Sequence, residues 1–305
     1  MFAMTAVFSL SAKHLNVLMI GNSFSICVGT CLPQMVKSVP GESITLTSAF
    51  IGGCYLEQHW NNICAAEKNP ELKQYLITVW DSATGKTTEN YQTALALLKT
   101  QKYDIITIQQ NSMYSIDYST YQPYANNLIA VIKKYQPQAE IIIQQTWSYR
   151  ADALFFELKN LNNDEMYQKL DQAYQKLAAE NGLRIIPTGY AIQISRKNSS
   201  LKFKGYDKNL LTSLSWPDLP PQAGDVVGKL FWKKNSKTGR MMIEKDTSHL
   251  NIRGEYLQAA VWFAFLYGKN TSEIKFVPET IGNDDAEFLK KCAQEAVDNF
   301  REEQK

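Results

Sequence analysis

The chain has 305 residues, of which 45% are hydrophobic and 20% are charged, so it can bury a substantial core. Lys and Arg number 32 against 30 Asp and Glu, which gives a formal net charge of +2 at pH 7. This balance gives no reason to expect a nucleic acid or an acidic membrane surface as the partner. No apolar run reaches the length of about 18 residues that a membrane-spanning helix requires.

The sequence begins MFAMTAVFSLSAKH, an apolar stretch that ends in the small residues Ser11 and Ala12. An apolar stretch that ends in small residues is typical of a secretory signal, although the usual Lys or Arg before the stretch is missing. We therefore predict a leader over residues 1–13 and an exported protein, periplasmic or extracellular. The alternative is an irregular apolar arm that packs on the domain.

Five apolar, β-rich runs predict strands, at 16–20, 43–50, 104–109, 140–147 and 183–187. Their continuous apolarity is typical of strands that are buried on both faces of a parallel sheet. Helical patterns lie at 89–101, 120–136 and 163–182. This alternation predicts one α/β domain over residues 14–305, with a five-stranded, mainly parallel sheet between helices. The functional site of such a sheet lies beyond the carboxyl ends of its strands.

Residues 198–240 break the alternation, since they are rich in Ser, Gly, Pro and Lys and contain Trp216, Phe231 and Trp232. We predict an insertion or lid here, with a hairpin around 228–244. The alternative is a surface loop with no role in the site. The amphipathic tail from residue 284 onward predicts a terminal helix that packs on the domain.

The cysteines indicate neither a disulfide framework nor a zinc ribbon. Their number, 5, is odd, and no C-x-x-C pair occurs. We predict no metal site and no cofactor.

The strand at 16–20 runs directly into Gly21, Asn22 and Ser23. Such a turn is either an ordinary connection between a strand and a helix, or a device that holds a serine hydroxyl above the end of the strand. A serine attacks an ester only when a base removes its proton, and the usual base is a His that a carboxylate orients. The chain has 3 His. His14 lies between the leader and the first strand, which is a poor place for catalysis.

His249 is the better base, because Asp246 precedes it by three residues. A loop leading into a helix from about Arg253 can place Asp246 and His249 side by side over the sheet edge where Ser23 emerges. We predict Ser23 as the nucleophile, His249 as the base and Asp246 as the group that orients it. In the alternative, Ser23 caps a helix and His249 is a core-edge histidine capped by Asp246. His59 is predicted to pack at the pocket rim.

These segments resemble the SGNH or GDSL-type serine hydrolase superfamily, in its esterase and acetylhydrolase branch. IGNSFS (20–25), FIGGCYLEQHW (50–60) and DTSHLN (246–251) look like its first, second and last blocks, although the first block has Asn22 where Asp is usual. The resemblance covers roughly residues 16–268. It implies a flavodoxin-like three-layer sandwich and acyl transfer through Ser23, with Asp246 and His249 completing the triad.

The resemblance also implies an oxyanion hole. Its backbone donors would be Ser23 and a glycine of the second block, with Gly53 as the first choice and Gly52 as the alternative. The family's third block ends in Gly-x-Asn-Asp, whereas this chain has TIQQNSMYS at 107–115. The side-chain donor therefore stays open among Gln109, Gln110 and Asn111, with Gln110 ranked first because it leaves the strand near the right height.

Aromatic residues near these blocks predict a platform for a sugar ring, and ordinary burial is the alternative. The predicted substrate-binding residues are Tyr55, Trp60, Gln109, Trp147 and Tyr149. The predicted function is a serine esterase that removes small acyl groups, acetyl above all, from a small-molecule or glycan ester. The rivals are an acyltransferase and a non-catalytic protein that binds an anion or a carbohydrate, with Gly-Asn-Ser cradling the anion at a helix N-terminus.

Overall fold

The structure is a computed structural model that describes residues 12–303, without the side chains of residues 208 and 301–303. Residues 1–11, which make up most of the predicted leader, lie outside the described residues. Lys13, the last residue of that predicted leader, is the first residue of the first strand.

Within residues 12–303, seven strands form the central sheet, in the spatial order β4-β3-β2-β1-β5-β6-β7. Their bounds are β1 (Lys13–Gly21), β2 (Glu42–Phe50), β3 (Tyr75–Asp81), β4 (Lys86–Gln92), β5 (Ile105–Ile108), β6 (Glu140–Gln144) and β7 (Arg184–Ile186). The run from β2 through β1, β5 and β6 to β7 is parallel, whereas β3 and β4 are antiparallel to their neighbours. The α/β class and the five predicted strands are therefore confirmed.

The prediction of five strands in the sheet was wrong, because β3 and β4 extend one edge. The edge strand β4, KTTENYQ, is almost fully exposed and has no apolar residue pattern that would reveal it. The helix predicted over 89–101 was wrong at its start for the same reason. Its helical part is Ala94–Thr100, and Thr93 caps it by accepting a hydrogen bond from the Ala96 N–H at 3.0 Å.

Helices cover the sheet in two layers. Their bounds are α1 (Ser23–Ile26), α2 (Leu32–Lys37), α3 (Leu56–Lys68), α4 (Ala94–Thr100), α5 (Tyr124–Tyr135), α6 (Leu154–Lys159), α7 (Asn163–Asn181), α8 (Thr188–Asn198), α9 (Lys208–Ser213), α10 (Ile252–Tyr267) and α11 (Asn283–Glu303). In one layer α10 contacts α2, α8 and α11, and in the other α3 contacts α4 and α5. Among the described residues, no helix combines the length and apolarity needed to cross a bilayer.

The predicted hairpin is present as a separate two-stranded antiparallel sheet of β8 (Val227–Lys234) and β9 (Met241–Leu250). It extends further toward the C-terminus than predicted. Asp246 and His249 consequently lie in the C-terminal part of β9, away from the hairpin turn, rather than on a loop. Asn251 follows directly and caps α10 by accepting from the Arg253 and Gly254 N–H groups.

Candidate active site

Close packing and side-chain hydrogen bonds fix the end of β1, which leads into Ser23. A Cβ added at Gly21 would overlap Ser25 Oγ, so only glycine fits there. Asn22 Oδ1 accepts hydrogen bonds from the Phe24 N–H at 3.0 Å and from Gln109 Nε2 at 2.7 Å, while its Nδ2 donates to the Cys54 carbonyl at 2.8 Å. The Asn22 side chain therefore joins β1 to the loops that follow β2 and β5. Asp in its place would lack the donor to Cys54.

The structure brings the three residues of the predicted triad together. His249 Nε2 lies 2.8 Å from Ser23 Oγ, and His249 Nδ1 lies 2.8 Å from Asp246 Oδ2. Asp246 Oδ1 accepts the backbone N–H groups of Ser248 at 2.9 Å and of His249 at 3.0 Å. Hydroxyl, imidazole and carboxylate thus form one continuous hydrogen-bonded chain.

Asp246 is set up to remain charged. Burial alone would raise the pKa of this carboxyl, but hydrogen bonds from the His249 ring, the His249 N–H and the Ser248 N–H outweigh it and hold the pKa well below its usual range. A charged Asp246 favours the tautomer with the proton on Nδ1. His249 Nε2 is then free to accept a proton from Ser23.

Trp147 lies behind the triad and not on a substrate surface. It is completely buried, it stacks on Phe24 with ring centroids 4.1 Å apart, and its Nε1 donates to the Ser248 carbonyl at 2.8 Å. Phe24 in turn meets the His249 ring edge-on at 5.4 Å. Tyr149 is 6% exposed, and its hydroxyl bonds Ser112 at 2.8 Å. The prediction that Trp147 and Tyr149 form a platform was wrong, because the hairpin covers this segment.

A second anchor holds β9 just beside Asp246. The Arg150 N–H donates to the Thr247 carbonyl at 2.9 Å, and the Arg150 guanidinium pairs with Asp152 at 2.7 Å. Gly228, at φ +83°, lies against the Asp246 backbone and the Arg150 guanidinium. A Cβ at this position would come within 2.8 Å of the Asp246 carbonyl oxygen and 2.9 Å of Arg150 Cζ. Glycine is thus required where β8 approaches the part of β9 that carries Asp246.

Gly53 and Asn111 lie side by side. Gly53 is exposed and adopts φ +64°, and Asn111 Nδ2 donates to the Gly53 carbonyl at 2.6 Å. Asn111 is only partly buried, and its Oδ1 accepts the Met113 N–H at 2.8 Å. Of the three side chains considered for the oxyanion donor, Asn111 is the one placed beside the glycine loop.

The first-ranked donor, Gln110, is excluded by its contacts. It is completely buried, its Oε1 accepts the N–H groups of Leu56 and Asn111, and its Nε2 donates to Thr120. Gln109 is 2% exposed and donates to Asn22, so it does not line a binding surface either. Both predictions fail because these amides serve the packing of the loops.

Tyr55 and Trp60 are half-buried, as a binding role requires. Tyr55 meets Tyr114 edge-on at 5.3 Å, and Tyr114 is 43% exposed. Sequence reasoning missed Tyr114, although its position three residues after Asn111 in the same loop was a usable signal. These two tyrosines flank the two loops that carry Gly53 and Asn111.

His59 is not at the pocket rim. It is 1% exposed, its Nδ1 lies 2.9 Å from the Tyr75 hydroxyl, and the two rings are stacked. Burial lowers the pKa of His59 to about 3, so the ring is neutral at physiological pH. It is a core residue.

The fold and this site define a three-layer α/β protein with a Ser-His-Asp arrangement at the carboxyl edge of its parallel strands. The chain belongs to the family named for a domain of unknown function, DUF4886, whose model matches residues 16–210. A DUF4886 family protein from Bacteroides uniformis has a similar crystal structure, with 26% identity over 93% of this chain and 95% of that one, and a TM-score of 0.73.

Two other solved structures are more distantly similar. A protein from Slackia heliotrinireducens, named as a candidate SGNH hydrolase, is 18% identical over 82% of this chain and 97% of that one, with a TM-score of 0.47. The acetylxylan esterase Axe2 from Geobacillus stearothermophilus is 12% identical over 86% of this chain and 95% of that one, with a TM-score of 0.43. No curated protein matches this sequence.

Proposed function

We propose that this protein is a serine esterase. The observation that carries the proposal is the chain of two 2.8 Å contacts from Ser23 Oγ through the His249 ring to Asp246. Ser23 Oγ attacks the ester carbonyl while His249 Nε2 takes its proton, and Asp246 stabilises the imidazolium. The imidazolium then returns the proton to the departing alcohol. Water attacks the acyl-enzyme while His249 takes its proton. The bond between the acyl carbon and Ser23 Oγ then breaks, the imidazolium returns the proton to Ser23 Oγ, and the acid leaves.

The oxyanion that forms at the carbonyl needs donors placed in advance. We assign these to the backbone N–H groups of Ser23 and Gly53 and to the side-chain amide of Asn111. The amide nitrogen of Asn111 carries two hydrogens. One holds the Gly53 carbonyl at 2.6 Å, and the second remains available for the substrate.

The favoured substrate is an acetyl ester on carbohydrate. The His249 side chain is 44% exposed, so the triad is open and admits a bulky alcohol. A cavity of about 750 Å³ beside the hairpin is lined by neither Ser23 nor His249, which disfavours a long acyl chain seated there. The half-buried Tyr55 and exposed Tyr114 offer a sugar ring an apolar surface next to the oxyanion loops.

The first test is labelling with a fluorophosphonate probe. Wild type should be labelled at Ser23, Ser23→Ala should not react, and His249→Ala should react far more slowly. The matched control is His14→Ala, since His14 is an exposed histidine on β1 that bonds Ser43. It should react like wild type. A folded wild type that resists the probe would overturn the proposal and favour a binding protein. A Ser23→Ala variant that still hydrolyses esters would overturn Ser23 as the nucleophile.

The second test defines the substrate with p-nitrophenyl esters of increasing chain length and with acetylated xylo-oligosaccharides. Activity should fall as the acyl chain lengthens. Tyr114→Ala should raise KM for the acetylated sugar more than for p-nitrophenyl acetate. Tyr91→Ala is the control, because Tyr91 is 59% exposed on the far edge strand β4, and it should change neither. Transfer of acetyl to an added sugar at the expense of hydrolysis would reassign the protein as an acyltransferase.

A further inference from the structure

The hairpin carries a concentrated positive charge that the whole-chain balance conceals. Residues 226–243 contain five basic and no acidic side chains, although the entire chain has a net charge of only +2. The basic residues are Lys229, Lys233, Lys234, Lys237 and Arg240, and all are exposed. Within residues 12–303, none of the five takes part in an ion pair.

The turn of the hairpin holds these charges at one end. The Asn235 N–H donates to the Arg240 carbonyl at 2.8 Å, and the Asn235 side chain accepts from the Lys237 N–H at 2.9 Å. Across the strands, Lys233 pairs with Met242 and Lys234 with Met241. We call the set Lys233, Lys234, Lys237, Arg240, Met241 and Met242 the basic tip.

Exposed apolar side chains lie within the basic tip and on the elements beside it. Met241 and Met242 are 38% and 49% exposed, and Trp216 is 63% exposed. Trp232 Nε1 donates to the Asp218 carbonyl at 2.9 Å, which fastens the loop of Trp216 to β8. Helices α6 and α9 and the hairpin line one cavity, and they add the exposed side chains Leu154, Leu158 and Leu210.

We infer that this surface binds an anionic lipid bilayer. Cations near an anionic bilayer contribute about fivefold each to binding, and Trp, Leu and Met side chains enter the zone between headgroups and acyl chains. A soluble polyanion would neutralise the lysines but would offer the methionines and Trp216 no apolar phase. This inference goes beyond the esterase proposal and does not depend on it.

The geometry allows docking without blocking the triad. Met242 and His249 lie at opposite ends of β9. At about 3.3 Å per residue, the basic tip is roughly 20 Å from the His249 position. A bilayer that receives the basic tip therefore leaves Ser23 and His249 open to the aqueous side.

The experiment is co-sedimentation of the full chain with phosphatidylcholine vesicles, with and without phosphatidylglycerol, at low and high salt. Wild type should bind only the vesicles that contain phosphatidylglycerol, and salt should weaken the binding. Changing all four cations of the basic tip to Gln should reduce the binding about 10²–10³-fold. The control changes four exposed lysines elsewhere to Gln, and it should bind like wild type: Lys68, Lys73, Lys102 and Lys133.

The apolar contribution separates a bilayer from a soluble polyanion. The double variant Met241→Ser and Met242→Ser should lose vesicle binding severalfold, whereas Met113→Ser, at an exposed methionine outside this surface, should not. Equal binding by the tip variant and its lysine control would overturn the inference. Vesicle binding that is insensitive to the serine changes, together with equally tight binding of heparin, would also overturn it and identify a polyanion site.

Two measurements keep this test independent of the enzyme. Ser23→Ala should bind vesicles as wild type does, so a failed esterase proposal leaves the result interpretable. The tip variant should hydrolyse a soluble ester at the wild-type rate, which shows that it is folded. A tip variant that loses both activities is replaced by the single change Lys237→Gln, in the hairpin turn, for which about a fivefold loss is expected.

Discussion

Trp147→Phe tests whether the buried indole positions His249, the proposed base. Phenylalanine keeps an aromatic ring against Phe24, but it removes the Nε1–H that bonds the Ser248 carbonyl at 2.8 Å. Losing such a bond costs about 1 kcal/mol, and up to about 3 kcal/mol if the carbonyl stays unsatisfied. Ser248 directly precedes His249, so its release displaces the imidazole. A displacement of about 1 Å can cost 10²-fold in rate.

We therefore expect kcat for p-nitrophenyl acetate to fall about 10- to 10²-fold, with little change in KM. Trp262→Phe is the matched control. Trp262 is also completely buried, but its Nε1 has no hydrogen-bond partner among the described residues. Both variants lose the same ring volume, so urea unfolding should show Trp147→Phe less stable by the hydrogen-bond contribution of about 1–3 kcal/mol. Equal kcat in the two variants would refute the positioning role.

Three further outcomes are expected. Asp246→Asn should lower kcat about 10³–10⁴-fold. Because its pKa is depressed below the unfolded value of about 3.9, this carboxylate stabilises the fold above about pH 4, and urea midpoints should fall less steeply on acidification in the variant. Asn111→Ala should lower kcat about 10²-fold with little loss of stability, whereas Gln110→Ala should lower the unfolding free energy by about 1–3 kcal/mol. Gly228→Ala should lower both activity and melting temperature, and more than Gly205→Ala, which has a similar positive φ but no neighbour within 4 Å.

Each of these outcomes has a result that contradicts it. An Asp246→Asn variant with the wild-type acid sensitivity would remove that carboxylate from the pH response. Full activity in Asn111→Ala would leave the oxyanion to the backbone alone. Equal effects of the two alanines at Gly228 and Gly205 would show that the close approach of β8 to β9 is unimportant.

The sequence predicted the parallel core because its strands are buried on both faces and show it as unbroken apolar runs. The edge strand β4 has no such signature, since its side chains face water. The meeting of Ser23, His249 and Asp246 was predictable because the turn at Ser23 and the Asp246–His249 spacing each suit the chemistry proposed for them. The position of His249 on a hairpin strand was not predictable, because nothing in the local sequence shows where β9 ends.

The side chain proposed to bind the oxyanion could not be chosen from spacing. Gln110 and Asn111 are adjacent, yet one amide is completely buried and the other is partly open. Successive residues at a strand end point in different directions, and only the surrounding loops decide which one faces out. The same holds for Trp147, which is covered by a hairpin about 80 residues or more later in the chain.

The family match ends at residue 210, and this boundary is a poor choice for a truncated form of the protein. A fragment that stops there retains Ser23 and loses His249, so the contact between the two side chains would be absent. It would also lose α10, most of whose side chains are buried between α2, α8 and α11. The newly bared apolar face would favour aggregation, and an expression clone should therefore run at least through α11.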